Sequence, residues 1–105
     1  VSDFEQMVAR ARRVREMYAG VEAERYGRSW TPEEIALGFV GDVGDLAKLV
    51  QGKAGVRARA NLGEALAHEL ADCLWSVMVL ADAYDVDLAA AFARTMDDLE
   101  HHLQA

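Results

Sequence analysis

Hydrophobic positions along the chain recur at helical spacing, and four such stretches emerge. In the first, Phe4, Met7, Ala11, Val14, Tyr18 and Val21 form one apolar stripe, which predicts a helix over about Asp3 to Tyr26. Gly27-Arg28-Ser29 breaks it. Trp30-Thr31-Pro32-Glu33-Glu34 then reads as a helix start: Thr31 can cap, Pro32 suits the first turn and Glu34 completes a capping box. This second helix should run to about Val50. Residues 51–60, with Gly52 and Gly55, read as a loop. Asn61, with Glu64 three residues on, predicts the start of a third helix reaching about Tyr84. Asp85-Val86-Asp87 is a turn and cap, and the last helix runs to about Leu103. Short connections favour antiparallel neighbours, so an all-α, mainly antiparallel four-helix bundle is expected, one domain over residues 1–105. The first stripe and the apolar breadth of helix three exceed what one small bundle covers, which points to an oligomer.

Two of those stripes carry acids where core residues belong. Ile35, Phe39, Asp42, Leu46 and Leu49 follow one face of helix two, and Ala65, Glu69, Asp72, Ser76 and Val79 one face of helix three. Asp42/Asp45 and Glu69/Asp72 are each three apart, hence neighbours on a helix surface. From Leu70 to Ala81, Asp72 is the only charged residue. A lone pair of acids three apart is ordinary on a solvated face. An ionised carboxylate on an apolar face, however, costs several kcal/mol unless compensated, and clustered carboxylates repel. A divalent cation removes both penalties, and a hard cation such as magnesium prefers carboxylate and water oxygens. Gly38, Gly41 and Gly44 also recur every three residues in helix two, each at a cost of about 1 kcal/mol relative to alanine. Close approach of another backbone or of a ligand would offset this.

Charge narrows the function classes. The chain has a formal net charge of −7, which argues against a general nucleic-acid polymer binder. Residues 60–105 hold nine acids and one cation, Arg94, whereas 1–59 hold nine acids and ten of the eleven Lys/Arg. Arg10, Arg12, Arg13 and Arg15 cluster on the first helix and read as a solvated face paired with nearby Glu. The single Cys73 cannot form an internal disulfide and reads as a small buried residue. No apolar stretch is long and uncharged enough for a membrane span, and the opening Val1-Ser2-Asp3-Phe4-Glu5 lacks a signal-peptide layout. The expectation is a cytoplasmic protein with no membrane partner. His68, His101 and His102 show no triad arrangement, and no P-loop, dinucleotide fingerprint or nucleophile signature is present. Trp75 reads as core. Trp30 either staples helix two or walls a planar ligand.

The segment Phe39-Val40-Gly41-Asp42-Val43-Gly44-Asp45-Leu46-Ala47 resembles the first motif of MazG-like nucleoside triphosphate pyrophosphohydrolases, usually written E-V-G-E-L. Glu69-Leu70-Ala71-Asp72-Cys73-Leu74 resembles their second, E-L-x-D-x-L, and Asp85-Val86-Asp87-Leu88 fits the opening of their last helix. The pattern is most similar to the short dCTP pyrophosphatase branch and spans roughly residues 26–100. The resemblance implies an oligomer, homodimer or homotetramer, that uses magnesium, or manganese in its place, to hydrolyse (deoxy)nucleoside triphosphates to the monophosphate and pyrophosphate. It implies Asp42, Asp45, Glu69 and Asp72 as metal ligands and catalytic residues around a water that attacks the α-phosphorus. The chain departs from the pattern in three ways. Aspartates replace both glutamates of the first motif. Gly52 stands where relatives often carry an aromatic. On the last helix Arg94 is the only fixed cation, so phosphate contacts fall to Arg94, to Lys53 or to Arg57 and Arg59, with Trp30 or Tyr26 stacking the base. Lys48 could instead pair with an acid and replace a metal. Two readings follow: a nucleotide-pool house-cleaning hydrolase, or a non-catalytic relative that binds metal or nucleotide, or mediates protein interaction.

Overall fold

A computed structural model describes residues 2–56 and 59–104. Four helices make up the described chain: α1 Asp3–Tyr26, α2 Pro32–Lys53, α3 Leu62–Ala83 and α4 Leu88–Gln104, with no strand among the described residues. The fold is all-α, as the periodicity predicts. No helix among the described residues is long and apolar enough to cross a membrane.

Local chemistry accounts for most of the boundaries. Ser2 caps α1 by accepting the Glu5 N–H at 3.1 Å. Gly27 ends that helix in the left-handed region (φ 78°), where a side chain is disfavoured, and returns its N–H to the Ala23 carbonyl. The Thr31–Glu34 capping box forms in both directions, at 3.2 and 3.0 Å. Arg28 grips the same Glu34 carboxylate at 2.6 and 2.9 Å. That contact and the Thr31 N–H hold its carboxyl down at about 2. The cap expected at Asn61 does not form. Asn61 is left-handed (φ 56°) rather than extended, and its side chain caps no N–H. Asp87 does cap the last helix, accepting the Ala90 N–H at 3.1 Å.

α3 is the central element. Cys73, Met78 and Val79 of α3 join Ala11 of α1 and Leu49 of α2 as the buried apolar residues. Pro32 and Ile35 of α2 lie by Val79 and Ala83, while Lys53 at its far end lies beside Gly63. On the other side Trp75 donates its indole N–H to the Ala11 carbonyl at 3.2 Å, and Arg12 reaches Asp82 at 2.9 Å.

The face α1 turns inward differs from the predicted stripe. Ala11 and Glu22 are buried and Phe4, Val8, Arg15 and Ala19 half-buried, whereas Met7, Val14, Tyr18 and Val21 are exposed. The physical reason is an ion pair. Arg15 holds Glu22 at 2.8 Å through both guanidinium nitrogens, and the Glu22 carboxylate also accepts the Trp30 N–H at 2.7 Å. With three donors, the carboxylate can occupy a core position, and α1 rotates to put it there. The predicted solvated reading of the arginines is thereby corrected for Arg15, whose side chain is 16% exposed. Gly38, Gly41 and Gly44 meet no close neighbour among the described residues. No atom of another element lies within 4 Å of where a Cβ would stand at any of them, so no backbone among the described residues makes the close approach.

Removing one partner from a buried, hydrogen-bonded ion pair costs about 3 kcal/mol or more. Glu22→Ala should therefore lower unfolding free energy in urea by about that much, against about 1 kcal/mol for Thr31→Ala. The pair also sets an acid limb. Arg15 lowers the Glu22 carboxyl below the ordinary carboxylate range. Its contribution is then full above the unfolded-state pKa and fades as pH falls through the folded one. Glu22→Ala should flatten that limb of the stability–pH curve.

Candidate metal centre

α2 and α3 pack so that the middle of one faces the first half of the other. Asp42 and Asp45, three apart on α2, and Glu69 on α3 each bring one carboxylate oxygen within 4.8 Å of the others. Asp42 and Glu69 are half-buried and Asp45 is exposed, so the trio is open to solvent on one side. The stripes Ile35–Leu49 and Ala65–Val79 face inward as predicted, which is what carries the acids there.

The trio is electrostatically incomplete. Glu69 Oε1 is buried and has no hydrogen-bond partner among the described residues. Burial, first, and then the charges of Asp42, Asp72 and Asp45 push the Glu69 carboxyl above its ordinary range, with His68 opposing. No lysine or arginine pairs with any of the three among the described residues, so the predicted alternative of Lys48 as an internal counter-ion does not form. A buried carboxylate oxygen without a donor, facing two further carboxylates, fits a hard divalent cation. The donor set is all oxygen, and the exposed side leaves room for water or a ligand to complete the coordination.

The fourth predicted ligand is placed differently. Asp72 lies outside the trio of oxygens, and its Oδ2 meets His68 Nε2 at 3.1 Å, one helical turn back. Cys73 is buried as predicted, its thiol pushed up by burial and by Glu69.

A second feature adjoins the trio. A cavity of about 310 Å³ runs from Trp30 to Asp42, walled by Tyr18, Phe39 and Trp75 and floored in part by Ser76. Trp30, expected either to staple α2 or to wall a planar ligand, lines this cavity. Tyr26 stacks on it with centroids 5.2 Å apart, and the Arg28 guanidinium lies 5.4 Å from its ring centre. The Arg15–Glu22 pair borders the same cavity and fixes the Trp30 backbone by its N–H and, at 3.3 Å, its carbonyl. Sequence reasoning missed this pair. The available signal was Glu22 seven residues after Arg15, two turns on along one face, with Ala11 and Ala19 beside it.

The predicted phosphate-binding cations are not gathered here. Lys53 Nζ lies near Gly63 at the start of α3, and Arg94 is exposed on α4; neither lines the aromatic cavity. Arg59 makes no ion pair among the described residues, and Arg57 lies outside them.

The chain matches no family model, no curated protein and no solved structure.

A carboxyl whose folded pKa is raised costs stability once pH rises above its unfolded value, and the cost is complete above the folded one. Glu69→Gln should therefore raise the melting temperature of the metal-free protein near neutral pH and leave it little changed at pH 4. The same substitution should weaken magnesium or manganese affinity at least about tenfold, read by calorimetric titration.

Proposed function

We propose that this chain is a magnesium-dependent hydrolase of (deoxy)nucleoside triphosphates, releasing the monophosphate and pyrophosphate, in the manner of the MazG-like enzymes its two acidic motifs resemble. The observation that carries the reading is the partnerless buried Glu69 oxygen facing Asp42 and Asp45 at the end of an aromatic cavity. An acidic trio alone speaks only for a cation. A trio joined to an aromatic-walled cavity speaks for a cation with a flat, anionic ligand.

Asp42, Asp45 and Glu69 would hold the metal, magnesium or manganese. When bound, it supplies neutralising charge to phosphate oxygens and acidifies water. The base enters between Trp30 and the Tyr18–Trp75 pair, whose centroids are 5.7 Å apart. Ser76 offers a polar contact in the lining of the cavity, whereas Arg15 already takes the Trp30 carbonyl. Asp72 supplies the proton chemistry. His68 holds one of its oxygens, leaving the other to accept a proton from the attacking water. Arg15 and Glu22 act at one remove, keeping the Trp30 wall at a fixed distance from Asp42.

The same reading places the helices in an antiparallel bundle that assembles as a homodimer or homotetramer in the cytoplasm, with no nucleic-acid polymer as partner. The order of neighbours along α2 and α3 supports the antiparallel arrangement of that pair.

A second reading has its own observation in favour. Lys53 and Arg94 stand apart from the aromatic cavity, so these two predicted phosphate contacts are not assembled at it among the described residues. A relative without turnover, binding metal or nucleotide or mediating protein interaction, would keep the trio and the cavity alone.

The two part on one assay. Purified protein incubated with a panel of NTPs and dNTPs should release pyrophosphate with magnesium and none with chelator. Glu69→Gln should abolish release, and Asp72→Asn should lower turnover by at least about a hundredfold while leaving metal affinity nearer wild type. No release from any substrate would leave the second reading standing.

A further inference from the structure

The two ends of the aromatic cavity differ in chemistry. Asp42 closes one end, and the Arg15–Glu22 pair closes the other beside Trp30. Arg15 also adjoins Ile35 and Val79. Ile35 stands two helical turns from Asp42, about 10 Å along α2. Arg15 is therefore remote from the acidic trio, yet it lines the same cavity as Asp42.

That far wall has donors to spare and no idle carboxylate. Glu22 accepts from both terminal nitrogens of Arg15 and from the Trp30 N–H. Glu34, also in the lining, accepts from Arg28 through both oxygens and from the Thr31 N–H. The Trp30 carbonyl takes an N–H from Arg15. A guanidinium carries five N–H groups. Arg15 uses one on Nη1 and both on Nη2. The second on Nη1 and the one on Nε have no acceptor among the described residues. With that side chain only 16% exposed, the cavity is where an acceptor could reach them. Ser76, the remaining polar group of the lining on α3, can donate or accept and so does not discriminate.

The trio gives a bound nucleotide its direction. With phosphates at the metal, the glycosidic end of the base faces Asp42 and the opposite edge faces Arg15. That edge is position 4 of a pyrimidine or position 6 of a purine. Uracil, thymine, guanine and hypoxanthine carry a carbonyl oxygen there, an acceptor. Cytosine and adenine carry an amino group, a donor.

We infer that Arg15 determines base specificity, and that the chain selects nucleotides with a 4-oxo or 6-oxo base over their 4-amino or 6-amino counterparts. This selection rests on the reading above that the phosphates lie at the acidic trio. Glu22 makes it rigid. Two bonds pin the guanidinium, so a carbonyl oxygen meets a donor already in place, and an amino group meets one that cannot turn away. A site built to hydrogen-bond one group rejects the analogue without it, because its own part-buried donor is left unpaired. The preference runs against cytosine, the base that the resemblance to the dCTP pyrophosphatase branch suggests.

Two matched pairs isolate the group. dUMP and dCMP differ in the 4-substituent and the ring proton that goes with it; dIMP and dAMP differ in the same way at position 6. Both tryptophans line the cavity, so quenching of their fluorescence in the presence of magnesium reads binding. dUMP should bind at least about tenfold more tightly than dCMP, and dIMP than dAMP, the order of one charge-assisted hydrogen bond. Arg15→Lys keeps the charge, loses the fork and should bring both ratios close to one. A role confined to holding Trp30 would weaken all four nucleotides together and leave the ratios unchanged. In the unsubstituted, labelled protein, the guanidinium N–H resonances of Arg15 should shift with dUMP and stay in place with dCMP. Wild-type ratios near one, ratios unmoved in a folded Arg15→Lys variant, or no binding of any of the four at millimolar concentration would overturn the inference. Selective binding without pyrophosphate release from the triphosphates would support it while sinking the hydrolase reading. Release from dUTP and dCTP at equal kcat/KM would do the reverse.

Discussion

Glu22 carries a full negative charge at a position α1 turns into the protein, and its compensation sets the geometry around it. Arg15 meets it with two nitrogens and the Trp30 backbone with a third donor. An ion pair is a poor source of net stability when buried, because desolvation consumes most of the Coulomb gain. Its structural effect is large all the same. It fixes the rotation of α1 and the corner into α2, and through that corner it holds Trp30 against the cavity that ends at Asp42.

The acidic trio is the opposite case. Glu22 has three donors, whereas the buried Glu69 oxygen has none, and Asp42 and Asp45 stand close by. One carboxylate is satisfied by the chain, and the other has a buried oxygen with no hydrogen-bond partner among the described residues. The contrast matters because both acids sit on inward-facing stripes of the same small core. A structural role explains Glu22 fully. For Glu69 a divalent cation fits both the oxygen-only donor set and the upward push on its carboxyl.

Much of this was legible in the sequence. Periodicity located all four helices, and the Thr31–Glu34 box marked a start that the structure reproduces. The inward faces of α2 and α3 followed the stripes Ile35–Leu49 and Ala65–Val79, although both helices carry further apolar residues that stay exposed. α1 did not follow so simply, since it has two apolar faces and hydrophobicity alone cannot rank them. The choice was made by a charged pair seven residues apart, which a hydrophobic count treats as surface. Asn61 has the residue type of a cap without its backbone conformation, which only tertiary context sets. Asp72 shares the helical spacing of Glu69, but spacing fixes a face and leaves the side-chain rotamer open, and His68 one turn back takes the carboxylate. The glycines of α2 look like a contact surface by sequence, and no other element among the described residues comes within 4 Å of where their Cβ atoms would stand.

The claim that the trio is a metal site is tested most directly by manganese-induced broadening of amide resonances, with substoichiometric ion added to the labelled protein. A site built from Asp42, Asp45 and Glu69 predicts loss of signal centred on those amides and their helical neighbours, with Glu69→Gln abolishing the local effect. The second half of the chain offers a stringent control, because α4 carries Asp97, Asp98 and Glu100 in close succession. Broadening spread over α4, or no localised broadening near Glu69, would contradict it.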